Sequence, residues 1–270
     1  MNRRERRGQA AEVERWNRRA PSYTEHSELE GSRARRREIL RWLEEAGALR
    51  PGDRVLDIGA GPGNFGIPMA RTAAEVVALE PAGEMVSILE QRLTEEGAAN
   101  VRIVGKTWEE VDLEAEGWLG AFDLVFASMS PGVSRPEMLE KMLSVSRAFC
   151  YLSGWSGESW GKWGPVQREL WPRIFSEELG DYPSDILYSF GMLYAMGYRP
   201  ELRFVQPRVQ LEMDGGQAIR ELVDHFSRYV EVDGAVRRII RDYVESNSRS
   251  GLFVKQGTSC QGFMLWRVKQ

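Results

Sequence analysis

The stretch Val55-Leu-Asp57-Ile-Gly59-Ala-Gly61-Pro-Gly63-Asn-Phe-Gly66 concentrates the residue types best suited to chemistry. Gly61, Gly63 and Gly66 satisfy G-x-G-x-x-G, a spacing that lets backbone N–H groups come close to a ligand. Glu80 lies 19 residues after Gly61, near the roughly 20 at which a dinucleotide fold places its ribose-binding acid. Asp57 argues the other way. A pyrophosphate at such a loop wants N–H donors and no neighbouring anion. A ligand carrying positive charge gains from the carboxylate instead. A unit charge pair at ~4 Å is worth roughly 4 kcal/mol at an effective dielectric of ~20, with opposite sign for the two kinds of ligand. The bland readings are that Asp57 caps a turn and Glu80 is an exposed strand-end acid. The glycines alone leave all of these open.

These residues need a scaffold. Arg33 to Ala46 reads as a helix, with Ile39, Leu40, Leu43 and Ala46 at helical spacing. Leu49-Arg50-Pro51-Gly52-Asp53 is a turn, and Arg54 to Ile58 is a short apolar strand. Glu75 to Leu79, Val101 to Val104, Phe122 to Ala127 and Phe149 to Leu152 are four more strands. Helical spacing separates several of them: Met85, Ile88, Leu89 and Leu93, then Met138, Leu139, Met142 and Leu143. Such alternation indicates a parallel sheet with helices on both faces, and continuous apolar strands such as Leu124-Val-Phe-Ala127 fit double covering. After Trp155 the pattern changes. Trp160, Trp163, Trp171, Phe175 and Tyr182 lie among glycines and prolines, with a helical piece near Val166 to Glu178. Ile186 to Met196 is helical, and Leu202 to Met213 alternates as one strand interrupted at Pro207. Gln217 to Val230 and Gly234 to Glu245 are helical, and Phe263 to Val268 is a last strand.

Taken in order, Val55 to Gly63, Glu80 with Pro81 and Met85, Phe122-Asp123-Leu-Val-Phe, and Gly197-Tyr-Arg-Pro200 resemble the class I S-adenosylmethionine (SAM)-dependent methyltransferases. The resemblance covers residues 35–155 closely and 186–213 and 261–268 loosely. It implies an α/β fold, a doubly wound, mostly parallel seven-stranded sheet with an antiparallel C-terminal strand, and helical insertions forming a lid. Residues 1–32 are expected as a basic segment or lid helix, and 33–270 as one Rossmann-like domain with insertions at 156–183 and 214–250. SAM carries an ammonium and a sulfonium and no phosphate, which suits Asp57. By resemblance, Gly59, Ala60, Gly61 and Gly63 let the backbone approach the methionine and ribose parts, and Asp57 faces the amino group. Glu80 takes the ribose hydroxyls, and Pro81 and Met85 pack near the adenine. Trp16-Asn-Arg-Arg-Ala20-Pro-Ser-Tyr23 resembles a segment that folds over SAM in many small-molecule methyltransferases, with Tyr23 closing the sulfonium end.

One position departs from the family. After the third strand an acid often reaches the adenine amino group, but Lys106 stands there and cannot accept a hydrogen bond. The backbone of Thr107 or Trp108 and the Trp108 indole are the substitutes, the plain alternative for Trp108 being cover for the sheet edge. Ser128-Met129-Ser130-Pro131-Gly132 occupies the place where methyl and acceptor meet, with Ser128 and Met129 assigned to the cofactor. The Asn-Pro-Pro-aromatic signature of amino-group methylation is absent.

Methyl transfer needs chiefly orientation. No catalytic residue is therefore assigned, and His225, His26, Glu158 and Tyr23 are candidates for a base if one is needed. His225, beside Leu222 and Phe226, reads first as a packed or surface histidine. Trp155, Trp160, Trp163 and Trp171 either suggest an apolar or planar acceptor or simply pack the insertion onto the domain, with a small molecule as the default partner. A NAD-dependent oxidoreductase and a non-catalytic SAM-binding protein are the alternatives.

Composition narrows the rest. The chain has 270 residues and a formal net charge of −4; residues 1–41 carry 12 arginines against 7 acids, net +5, leaving −9 for the remainder. Interleaved acids make that basic arm read as a solvated, partly helical tail, and nucleic acid is not expected as a partner. The longest uncharged apolar-rich run, Ile186 to Tyr198, has 13 residues, short of the roughly 20 that cross a membrane. Two distant cysteines, Cys150 and Cys260, exclude a disulfide scaffold and fit a reducing cytoplasm. With only His26 and His225 as histidines, no residue is assigned to a metal.

Overall fold

Val55, Leu56, Val76, Val77, Leu124 and Val125 have no solvent exposure, so the strands that carry them are covered on both faces. The computed structural model describes residues 8–156, 164–178, 185–205, 208–258 and 260–268. Its elements begin with α1 (Gln9–Ser27), α2 (Glu30–Glu45), β1 (Arg54–Ile58), α3 (Gly66–Ala70), β2 (Glu75–Leu79), α4 (Gly83–Glu96) and β3 (Val101–Val104). They continue with β4 (Phe122–Ser128), α5 (Pro136–Val145), β5 (Ser146–Trp155), α6 (Gly164–Phe175), α7 (Ile186–Ala195) and β6 (Glu201–Val205). The last are β7 (Arg208–Asp214), α8 (Gly215–Phe226), α9 (Gly234–Ser246), β8 (Ser248–Arg249), β9 (Leu252–Thr258) and β10 (Gln261–Arg267).

The described residues gather into two compact units: those within 13–154, 187–202 and 263–268, and those within 8–12, 155–186 and 203–262. The first is built on a seven-stranded sheet in the order β3-β2-β1-β4-β5-β10-β6, parallel except for β10. That is the doubly wound sheet expected from the sequence. The chain winds outward through β1, β2 and β3, then returns to lay β4 and β5 on the other side of β1. The reversal leaves a crevice beyond the strand ends between β1 and β4, where ligands bind in such sheets. Register fixes what faces it: Asp57 pairs with Ala78 on β2 and with Phe126 on β4. Behind it, Phe65 packs on Phe126 at 4.8 Å, Phe126 stacks on Tyr151 at 4.4 Å, and Tyr151 meets Trp42 of α2 at 6.2 Å between centroids.

The N-terminal segment is more ordered than a solvated tail. α1 runs for 19 residues and buries Ala20 against Ala82 and Met85, with Val13, Trp16 and Ile88 alongside. It also caps α4. Ala82, at the N-cap, offers no side-chain acceptor, and the Glu84 N–H donates instead to Asn17 Oδ1 at 3.1 Å.

The second unit has its own sheet, β7-β9-β8, and its own core. Leu202 to Met213 is therefore not one interrupted strand. β6 belongs to the large sheet and β7 to the small one. Pro207 itself lies outside the described residues. Val166, Leu170, Trp171 and Phe175 of α6 pack with Leu222 and Phe226 of α8 and with Ile240, Tyr243 and Val244 of α9. The segments expected as two insertions thus contribute to one core. Asp214 and Asp233 cap α8 and α9 by accepting the N–H groups of Gln217, Ala235 and Val236, each at 2.9 Å.

Candidate functional site

The glycine loop leaves β1 and turns back at once. The Gly59 and Ala60 N–H groups both donate to the Leu79 carbonyl, at 2.8 and 3.1 Å. Gly59 has φ +77°, and a Cβ there would sit 2.5 Å from Ser130 Oγ, so both backbone and space demand glycine. Gly63, at φ +82°, meets Leu89 and Ile67 just as closely. Above Gly61 the nearest neighbour is the Tyr23 ring, 3.9 Å from where a Cβ would stand.

Two buried carboxylates frame this loop. Glu80, 7% exposed, accepts the Gly61 N–H on one oxygen at 2.9 Å and the Ala82 N–H on the other at 2.8 Å. Burial raises its pKa, and those two N–H groups pull against the rise. Asp57 is 3% exposed. Burial, then the charge of Glu80, pushes its carboxyl up to about 7. The Gly66 N–H tempers that rise, yet Oδ2 is buried with no hydrogen-bond partner. An unpaired buried polar atom costs ~1–3 kcal/mol, and perturbed acids in a cleft mark functional sites. Together the two acids make the crevice a place for positive charge and hydroxyl donors.

Tyr23 comes to the same place from α1. The residue is 37% exposed. The hydroxyl end is packed in: burial raises its pKa, a hydrogen bond with Asn64 opposes the rise, and Asp57 and Glu80 lie close enough to contribute. The ring meets Trp16 edge-on at 5.5 Å. Met85 is buried against α1, and Pro81 is half-buried at the strand exit.

The remaining predicted residues divide. The Thr107 N–H and hydroxyl both donate to Glu110 Oε2, at 3.0 and 2.7 Å, in a reciprocal cap that engages the donors proposed for adenine. Trp108 is 2% exposed, its indole N–H donates to the Met138 carbonyl of α5 at 3.1 Å, and Lys141 Nζ sits 4.9 Å from its ring centroid. It forms a wall of the unit. Lys106 pairs with Glu116 at 2.6 Å. At the end of β4, Ser128 Oγ lies 3.1 Å from Ser153 Oγ, which accepts the Met129 N–H at 3.0 Å. Met129 is held at φ +54°, an uncommon conformation for a side-chain-bearing residue. Burial raises the nearby Tyr151 hydroxyl, with Ser153 and Ser128 opposing the rise.

Of the candidate bases, His225 is buried in the second unit, with Nε2 3.0 Å from Gln167 Oε1. His26 is exposed on the last turn of α1. Glu158, Trp160, Trp163 and Tyr182 lie outside the described residues. Trp171 is a core residue, packed on Phe175 and Tyr229 at 4.3 and 5.0 Å. Sequence reasoning missed Asn64, Ser153 and Arg92. Asn64 sat inside the glycine motif, whereas nothing in one-dimensional spacing marks the other two.

Residues 55–148 match the family described as a methyltransferase domain. The chain carries a methyltransferase domain. That match and the strand order are those of the class I, Rossmann-like, SAM-dependent methyltransferases. Among solved structures, this chain is similar to magnesium protoporphyrin IX methyltransferase from Synechocystis PCC 6803 with bound S-adenosylhomocysteine (SAH). The TM-score is 0.52 at 15% identity, covering 88% of this chain and 83% of that one. A methyltransferase candidate from Bacillus halodurans C-125 has a TM-score of 0.56 at 14% identity, covering 86% and 99%. These likenesses establish the fold.

Among curated relatives, the 23S rRNA (uracil(1939)-C(5))-methyltransferase of Shewanella sediminis is 36% identical over 119 residues, 43% of this chain. The chain spans 25% of that relative's length, and 18% of its counterpart in Shewanella sp. strain ANA-3. These names overturn the expectation of a small-molecule partner with nucleic acid set aside, because the relatives act on RNA. The absent amino-group signature bears only on amino-group acceptors and is silent about a carbon such as C(5) of uracil. An uncharacterised Haemophilus influenzae protein is 27% identical over 167 residues, covering 61% of this chain and 58% of that one. No helix among the described residues is long and apolar enough to cross a membrane.

Proposed function

We propose that the chain is a SAM-dependent methyltransferase whose cofactor lies over Gly59–Gly63 at the β1/β4 reversal. The observation that carries this reading is the buried, unpartnered Asp57 oxygen beside Glu80, a pairing suited to an ammonium and a diol and hostile to phosphate. The residues present fit SAM: the glycines leave the backbone bare, and Asp57 faces the amino group. Glu80 keeps lone pairs for ribose hydroxyls while its two N–H partners hold it in place. Tyr23 covers the loop from α1, Pro81 flanks the adenine, and Thr107, Trp108, Ser128 and Met129 complete the walls.

SAM supplies an electrophilic methyl group on a sulfonium. The protein's task is to hold an acceptor in line, ~3–3.5 Å from that carbon, and to exclude water. The Ser128–Ser130 turn, fixed through Ser153, sits at the strand end where this alignment happens. Two buried, free cysteines support a place in the reducing cytoplasm.

Calorimetry with SAM, SAH and NAD tests the cofactor. SAM and SAH bind and NAD does not; the opposite pattern ends this reading. A nucleic-acid acceptor is favoured by the RNA-modifying relatives. Incubation with tritiated methyl-SAM and total RNA, followed by digestion to nucleosides, places label on a base if it is right. Label confined to other fractions removes it.

A further inference from the structure

Arg92 lies on α4, outside the crevice, with its side chain 20% exposed. Its Nη1 donates to the Pro62 carbonyl at 3.2 Å and to Asn64 Oδ1 at 3.1 Å, while Nη2 pairs with Glu28 Oε1 at 2.6 Å. One guanidinium thus grips two residues of the glycine loop and the residue just past α1. A planar fork of donors makes such a triple contact, where an ammonium is a point charge on a flexible stem. Asn64 is gripped again from α1, by the Ser27 hydroxyl at 3.1 Å and by Tyr23. Glu28 is oriented in turn by Arg33, through Nε at 3.0 Å and Nη2 at 2.5 Å. Arg36 Nη1 donates to the Ser27 carbonyl at 2.5 Å. Burial alone would raise Glu28, but hydrogen bonds from Arg33 and Arg92 hold it below the usual carboxylate range, so it is charged at neutral pH. This is a network of partly buried charges, which salt screens less than an isolated surface pair.

We infer that Arg92 and Glu28 are positioning residues of the cofactor site, forming a latch that holds the glycine loop in its bound shape and fastens α1 with Tyr23 across it. The inference rests on the SAM reading above. The loop turns on left-handed glycines at 61 and 63, and little within such a sequence resists unfolding of the turn. The Pro62 carbonyl and the Asn64 side chain, lying between and just after those glycines, are the points where Arg92 holds it. Because Glu28 stands directly after α1, loss of its pair frees the end of the covering helix as well. Cofactor exchange then requires the latch to part, and its strength sets the release rate.

The test follows dissociation of tritiated SAM from the full chain by filter binding after an unlabelled chase, for wild type, Arg92→Gln, Arg92→Lys and Glu28→Gln. Hydrogen exchange is measured on the same unliganded proteins. Arg92→Gln is expected to speed release about tenfold and Glu28→Gln about threefold, mostly through koff. Arg92→Lys should fall between wild type and Arg92→Gln, and KM for SAM should rise more than kcat falls. Exchange should increase in residues 59–66 and 13–27 of both uncharged variants. Wild type that binds SAM, with variants that release it no faster, overturns the latch and leaves the cofactor reading intact. Wild type that does not bind SAM overturns the cofactor reading and, with it, the assignment of the latch to cofactor release. If Arg92→Gln does not fold, Glu28→Gln carries the comparison, and unchanged release and exchange in it count against the latch.

Discussion

Asp57 and Glu80 frame the same glycine loop, yet their environments give them different tasks. Glu80 spends both oxygens on backbone N–H groups, while Asp57 keeps one buried oxygen without a partner. Asp57→Ala and Glu80→Ala should each weaken SAM binding about tenfold or more in calorimetry, ~1.4 kcal/mol per decade. Unchanged affinity in both would contradict the site. Asp57 also predicts a pH dependence. Its folded pKa, about 7, lies above the 3.8 of an unburied aspartate. Its contribution to the stability of the unliganded chain is therefore full below pH 3.8 and lost as pH rises through 7. An ammonium beside it reverses the preference, so SAM affinity should rise between pH 6 and 8 with proton release. Calorimetry in buffers of different ionisation enthalpy reads that release directly, and Asp57→Asn should abolish it. Both acids were legible because acids at strand ends, spaced about a βα unit apart, have few other uses. Arg92 was not, since its partner Glu28 lies 64 residues away in sequence.

At the scale of elements, β1 to β5 and the helices between them were readable because a doubly covered strand must be apolar throughout and a covering helix must repeat at 3.6. α1 was less so. Its arginines and acids look solvated, and its apolar contacts, Trp16 and Ala20 on Met85, exist only once α4 is in place. The Asn17 cap shows the same dependence. Asn17→Ala should lower stability by ~0.5–1 kcal/mol, read by chemical denaturation, because the Glu84 N–H loses its acceptor. In the second unit, Phe226 has no exposure and sits among Phe175, Leu222 and Tyr229. Phe226→Ala should cost ~3–5 kcal/mol by the same measurement, the range for deleting a buried ring.

For the whole molecule, ligand binding and stability are one equilibrium. SAM at about 100 times its Kd should stabilise the chain by ~2.7 kcal/mol and raise Tm, whereas NAD should leave Tm where it is. The sequence by itself determined the sheet class, the glycine loop and the two acids, since local spacing and strand periodicity encode them. It determined less about residues 155–262. Trp171 reads in one dimension as either an acceptor contact or a packing residue, and in three it is a core residue. One alternating run became strands of two different sheets. Only the tertiary structure decided those matters, and only it joined Arg92, Asn64 and Glu28. Pairing between strands and between distant charges depends on chain segments meeting in space, and no periodicity along the chain records which ones do.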